Sequence, residues 1–453
     1  MEKRGFVSKI GFIMSMAAFS IGIGNLWKFP YIVGNYGGGA FLLVYLLFLI
    51  FAGVPMFIVE VTLGRASGLS PISGMNKLEG KKSAWSIIGI VEAISILIID
   101  GYATIIVGGW TLGYLAKVAT GSLAGMDADA LGTVFGAHTT SISCIVFTFL
   151  AYVLMWLCLN SGVKKGVEKI CSILLPILMV ILVGLAIYAN TLPGAFEGLK
   201  WYVIPDFSKI NLGVVSAALT QVFFSLGVGM CCAFVYGSYM DKDTNMTGSL
   251  MLTSFLDTGI AVLSGLICVP ALFAFGIEPA AGPSLLFVTL PQLFNKMGAF
   301  GTVFGVLFFL CVFFAGFTSV LGGAESLVAV LDDGFKGLSR KAACIIVVVA
   351  AFLLSLVFIS SFGNGPLSGF SCLGLGFFDF GDFIASGICL TLAAVLMLLY
   401  VILRWKFNNF MEAANEGAGD SKLRIYPWMK VYFNYILPII LLFACYCIIK
   451  VYI

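Results

Sequence analysis

Charge is scarce in this chain. Of its 453 residues only 10% are charged, where soluble proteins average roughly 25%. Polar linkers are missing too, so nothing divides the chain into domains of ordinary size. With 60% apolar residues, no soluble fold has an interior large enough to hide them. These features exclude a cytosolic enzyme, a secreted disulfide scaffold and a disordered protein. The formal charge of +3 is too small for a nucleic-acid binder. His138 is the one histidine, so a structural zinc or haem site lacks ligands. None of the 12 cysteines forms a Cys-x-x-Cys pair. They sit inside apolar runs, as at Cys231-Cys232 and Cys445-Tyr446-Cys447, and read as small packing residues. No small-residue cleavage site follows a short apolar core in MEKRGFVSKIGF, so residues 1–9 read as a retained cytoplasmic tail.

What the chain has instead is long apolar runs. A helix needs about 20 apolar residues to cross the hydrocarbon core. Eleven runs meet that need, at about 11–36, 39–64, 86–118, 141–160, 166–191, 213–238, 248–276, 300–332, 340–361, 376–404 and 428–451. The fold class is all-α and polytopic, because barrel strands would alternate polar and apolar residues. Lysine and arginine cluster in the N-terminal tail (Lys3, Arg4, Lys9) and in alternate loops near 65–82, 164–169, 336–341 and 404–424. This asymmetry predicts a cytoplasmic N-terminus and, with an odd number of spans, an extracellular C-terminus.

Two runs are punctuated at corresponding places. Span 1 reads Ser20-Ile-Gly-Ile-Gly-Asn25, and span 6 reads Phe224-Ser-Leu-Gly-Val-Gly229. Each glycine weakens a helix by roughly 1 kcal/mol relative to alanine. One such pair is explained equally well by close helix packing. Two, five spans apart, point to an inverted-repeat transporter with a midplane site between broken helices. Unwound carbonyls there suit cations, and half-helix N-termini suit an anion.

Acidic residues at membrane depth are costly and usually mark a pair or a site. Here they are Glu60, Asp100, Asp257, Glu325, Asp379 and Asp382. Asp257 either caps a neighbouring helix or binds a cation. Glu60 and Glu325 are expected to hydrogen-bond the unwound backbone. In span 8, Thr318 and Ser319 either bond back to their own helix or face the span 1 break.

Together these residues resemble the neurotransmitter:sodium symporter family. The resemblance is nearly co-linear from about residue 9 to 406. It is strongest at GIGNLWKFPY (22–31) and GNYGGGAF (34–41). GVPMFIVEVTLGR (53–65), GGWTLGY (108–114), QVFFSLGVGM (221–230) and FFAGFTS (313–319) support it. It implies a LeuT-like fold of 5+5 inverted repeats, with broken helices 1 and 6 and eleven transmembrane helices. Residues 1–10 would be the tail and inner gate, 11–191 the first repeat, 213–404 the second and 428–453 helix 11. The implied activity is sodium-coupled uptake by alternating access, in the cell membrane, with no organic cofactor.

The resemblance also implies sites. The first sodium would meet the Ser20 carbonyl, Asn25, Ser225 and Asp257. The second would meet the carbonyls of Ala18, Ile21 and Ala315 and the hydroxyls of Thr318 and Ser319. Animal members use chloride near the equivalents of Tyr45, Gln221 and Ser225. Asp257 stands where many members have asparagine, so its fixed charge predicts chloride independence. The outer gate would pair Lys28 with Asp382, lysine replacing the usual arginine. The inner gate would join Lys3, Phe6, Tyr239 and Asp333. The substrate pocket would be lined by Phe19, Ser20, Gly22, Ile23, Gly24, Asp100, Thr104, Phe224, Ser225, Gly227, Met230, Ser319 and Gly323.

By the same resemblance Gly22 argues for an amino acid: monoamine transporters of the family place an aspartate there, whereas amino-acid transporters leave room for the substrate carboxylate, which the amides of Ile23 and Gly24 could receive. Gly227, Gly323 and Met230 are small or adaptable and leave space for a bulky or aromatic side group. Span 3 departs from the family pattern. Thr104 falls where the family has a carboxylate-binding tyrosine. Tyr102, two residues and about 200° away, faces elsewhere. Asp100 lies one turn from Thr104 on the same face. Three readings therefore stay open: an amino acid, a decarboxylated amine with Asp100 as counter-ion, or an amino acid with Asp100 neutral or turned away. A non-transporting sensor is a remoter alternative. An enzyme would need a nucleophile–base pair or a metal cluster, and the sequence offers neither.

Overall fold

The computed structural model describes residues 8–277 and 284–452. These residues are helical apart from loops and two isolated β-bridges, Gly38 with Pro205 and Cys372 with Leu375. Among them, nine helices are long and apolar enough to cross a membrane. They are Gly39–Ser67, Ala84–Ala119, Ile142–Asn160, Val163–Asn190, Met246–Ala274, Phe300–Gly334, Arg340–Ile359, Phe377–Trp405 and Met429–Cys447. A tenth arises if Lys9–Ser20 and Gly24–Asn35, which meet at 51°, form one bent span. The remaining apolar run, 213–238, is divided into Leu212–Leu226 and Cys232–Ser238.

The two interruptions differ physically. After Ser20 the backbone leaves the helix at Ile21, and the Gly22 amide turns back to the Ser20 carbonyl at 2.9 Å. Gly22 and Gly24 are needed there for close approach. A Cβ on Gly22 would lie 2.8 Å from Ser319 Oγ, and one on Gly24 would lie 2.6 Å from the Phe224 ring. In the second interruption the need is conformational. Gly227 (φ +68°), Gly229 (φ +78°) and Cys231 (φ 69°) take left-handed backbone. That conformation is free for glycine but costs a residue such as cysteine on the order of 1–3 kcal/mol.

Packing holds both interruptions at the centre. Lys9–Ser20 lies against Met246–Ala274 and the long helix ending at Gly334. Cys232–Ser238 packs tightly on Val54–Ser67. Gly64 and Gly237 make that crossing possible, since a Cβ on either would run into the backbone of Phe234 or Val61. Outer helices turn apolar side chains outward, among them Ile142, Val180 and Phe255. Such a surface suits lipid, in which all backbone groups must be satisfied within helices.

Candidate functional site

Between the two interruptions lies a cavity of about 40 Å³. Phe19, Ser20, Gly22, Ile23, Gly24, Asp100, Phe224, Ser225, Met230 and Ser319 line it, all expected from the sequence. Asn25, Ile96, Ile99, Ala103, Gly316 and Val320 also line it, although none was expected in the pocket. Three expected residues do not. Thr104 is buried outside the cavity lining, where Asp100, one turn earlier, and the adjacent Ala103 supply the wall. Gly227 is covered by the Phe19 ring. Gly323 sits behind the Asp100 carboxylate, where a Cβ would lie 2.7 Å from Oδ2. Asp100 is 1% exposed, and neither of its carboxylate oxygens has a hydrogen-bond partner.

Beside the cavity, three elements converge on Asp257, which is fully buried. Asn25 Nδ2 donates to Asp257 Oδ1 at 2.7 Å and to its backbone carbonyl at 3.0 Å. Ser225 Oγ donates to Oδ2 at 2.7 Å. Asn25 Oδ1 and Ser20 Oγ are buried without a partner. Tyr45 adjoins Asp257, and Gln221 Nε2 donates to the Gly24 carbonyl at 3.3 Å. Carboxylate, amide and carbonyl oxygens form the donor set a hard cation prefers. A second cluster joins the bent span to the helix ending at Gly334. Thr318 Oγ1 lies 3.0 Å from the Ala18 carbonyl and 3.1 Å from that of Ala315. Ser319 stands opposite Gly22. Both clusters fit sodium as cargo. Among the described residues no group of three or more His, Cys, Asp and Glu can hold a metal ion.

Above the cavity, Lys28 Nζ meets Asp382 Oδ2 at 3.3 Å and lies 4.4 Å from the Phe224 ring centre. Tyr102, turned away from the cavity as expected, and Ser386 each donate to Asp382 Oδ1 at 2.7 Å. These contacts floor a second cavity of about 290 Å³ that Trp27, Tyr31 and Asp379 also line.

Below the cavity the expectations need correcting. Glu60 does hold the interrupted backbone, accepting from the Gly229 amide at 2.7 Å. Glu325 does not. It accepts from Arg340 Nη2 at 2.6 Å and Tyr239 Oη at 3.0 Å, because the neighbouring Arg340–Ile359 helix begins with a cation in reach. Asp333 accepts from the Ser70 amide at 2.7 Å, at the start of Pro71–Leu78. Lys3 and Phe6 lie outside the described residues. Glu92 was missed altogether: it is fully buried, with no hydrogen-bond partner for either oxygen and with Glu60 as an acidic neighbour. The signal was available, since Glu92, Ile96 and Asp100 repeat at four-residue spacing on one helix face.

The model of the Sodium:neurotransmitter symporter family matches residues 3–131 and 133–453. This chain belongs to that family. The uncharacterized sodium-dependent transporter YhdH of Bacillus subtilis is 32% identical over 437 residues, covering 96% of this chain and 95% of that protein. The human sodium- and chloride-dependent GABA transporter 2 is 27% identical, covering 97% and 78%. Among solved structures, MhsT in complex with L-phenylalanine superposes with a TM-score of 0.88 at 33% identity, covering 98% of this chain and 99% of MhsT. The chain is thus a multi-pass, sodium-dependent membrane transporter and not an enzyme.

Proposed function

We propose that this transporter imports an amino acid, hydrophobic or aromatic, together with sodium by alternating access. One observation carries the reading: the cavity and the Asp257 cluster share residues. Asn25 and Ser225 line the cavity and also hold Asp257. A guest in the cavity and a cation beside Asp257 would order the same side chains, so each raises the affinity of the other. Amides at the start of Gly24–Asn35 receive the substrate carboxylate, beside the first sodium. A second sodium binds among Ala18, Ile21, Ala315, Thr318 and Ser319. The L-phenylalanine complex of MhsT supports an aromatic substrate.

In this reading the divided 213–238 segment is an interrupted span, which brings the total to eleven. Residues 11–191 and 213–404 are the inverted repeats, residues 1–10 carry the inner gate, and 428–453 form the last helix. The lysine–arginine asymmetry supports a cytoplasmic N-terminus and an extracellular C-terminus. Lys28 and Asp382 close the outside. Lys3, Phe6, Tyr239 and Asp333 close the inside, with the Glu325–Arg340 pair bracing Tyr239. The fixed charge of Asp257 makes chloride unnecessary.

Uptake into proteoliposomes tests the proposal. Labelled amino acid should accumulate only under an inward sodium gradient, at the same rate when gluconate replaces chloride. Binding without accumulation under any gradient would mark a sensor instead. A second reading, a decarboxylated amine, draws on the unpartnered Asp100 carboxylate. Accumulation of amines but not amino acids would favour it.

A further inference from the structure

We propose that Asp100 is a specificity residue, accepting a hydrogen bond from an N–H or O–H group at the end of the substrate remote from its carboxylate. The inference rests on sodium-coupled uptake of an amino acid and names the chemistry of its side chain. Asp100 is 1% exposed, lines the cavity, and has no partner for either oxygen. The cavity wall includes the apolar Ile96, Ile99, Ala103 and Val320, and its polar members Ser20, Asn25, Ser225 and Ser319 make no hydrogen bond to Asp100. A carboxylate so placed is shielded from bulk solvent and has no protein partner, and a guest in the cavity is positioned to supply the missing donor.

The depth of Asp100 says which end of the guest it meets. Ser319 faces Gly22 at the first interruption, and Gly323, on the same helix, faces Asp100. Those four residues of helix rise about 6 Å. The Asp100 carboxylate therefore lies about that far below the Ile23 and Gly24 amides, roughly the reach of an amino-acid side chain. A substrate carboxylate belongs at the amides, because the positive end of a half-helix favours an anion there and an ionised Asp100 would repel it. The far end is then the side-chain terminus: a phenol, an indole N–H or an ω-ammonium.

A site built to bond a substrate donor rejects the analogue without it, because its own polar group is left unpaired; discrimination of roughly 10⁴–10⁵ is known for such sites. The experiment is sodium-dependent binding to the purified full chain in nanodiscs. Probes are phenylalanine, tyrosine, tryptophan, lysine and tyramine. At least one donor-bearing amino acid should bind about 100-fold or more tighter than phenylalanine. Tyrosine or tryptophan leading identifies a neutral donor, and lysine leading identifies a cation. Asp100→Leu should erase the preference while phenylalanine still binds. Asp100→Asn, nearly isosteric, should keep a neutral-donor preference but lose a cationic one. Phenylalanine equal to every donor-bearing probe in the native chain, or a preference unchanged in Asp100→Leu, overturns the inference and leaves sodium-coupled uptake standing. Donor-selective binding that ignores sodium overturns the uptake reading alone. Binding of tyramine only, or of no probe, overturns both.

Discussion

At the scale of single residues, three buried carboxylates on three different helices have three different surroundings. Asp257 is held by Asn25 and Ser225, Glu325 by Arg340 and Tyr239, and Asp100 by nothing. The consequences of removing each differ accordingly. Asp257→Ser deletes the proposed fixed charge beside Tyr45 and Gln221, so uptake should become chloride-dependent. Equal rates in chloride and gluconate for that variant would refute the charge-substitution argument. Glu325→Gln leaves Arg340 without its counter-ion. Breaking a buried pair costs about 3–5 kcal/mol, and the Arg340 side chain, 26% exposed, recovers part of that from water. A loss of about 2 kcal/mol is expected, read as a lower apparent melting temperature in detergent. An unshifted melting curve would remove the pair from the account.

At the scale of elements, close approach of backbones explains more than helix propensity does. Cys232–Ser238 is a seven-residue helix, too short to persist alone. It exists because Gly64 and Gly237 let it lie against Val54–Ser67, and because Glu60 on that helix caps the Gly229 amide just before it. Gly237→Ala forces a methyl group into the backbone at Val61, and overpacking of this kind costs about 1–3 kcal/mol. The variant should melt earlier and transport more slowly, whereas Gly132→Ala, where a Cβ meets nothing, should do neither. The first interruption was legible from Gly22 and Gly24, and the second from Gly227 and Gly229. Their different reasons were not, since Ser319 and Phe224 approach the first pair from far along the chain.

At the scale of the whole molecule, the clusters proposed to bind sodium are made by distant segments. Asn25 and Asp257 are 232 residues apart, and Thr318 and Ala18 are 300 apart. Ligands bound there should tie the assembly together. Sodium with a binding amino acid at 100 times its dissociation constant should stabilise the chain by about 2.7 kcal/mol. Potassium in place of sodium should remove that shift, and a shift independent of the cation would break the proposed linkage. At the proposed outer gate, Lys28→Met should remove the ion pair to Asp382 Oδ2, leave Tyr102 and Ser386 holding Oδ1, and loosen the floor of the 290 Å³ cavity. Faster thiol labelling at a cysteine placed at Ser319 measures that opening, and an unchanged rate would show that the pair does not control access.

Composition and periodicity by themselves determined that the chain is helical and rich in membrane-length runs, and glycine placement pointed to the helix ends at Ser20 and Leu226. Such properties are local: apolar length and glycine placement act within one segment. Pairing was decided by the tertiary structure. Thr104 and Asp100 share a helix face in sequence, yet only Asp100 reaches the cavity. Glu325 was open to the unwound backbone on paper, yet Arg340 was nearer. A helix turns about 100° per residue, so a small rotation or shift in packing selects which polar group faces which neighbour. No single segment contains the information that sets that rotation.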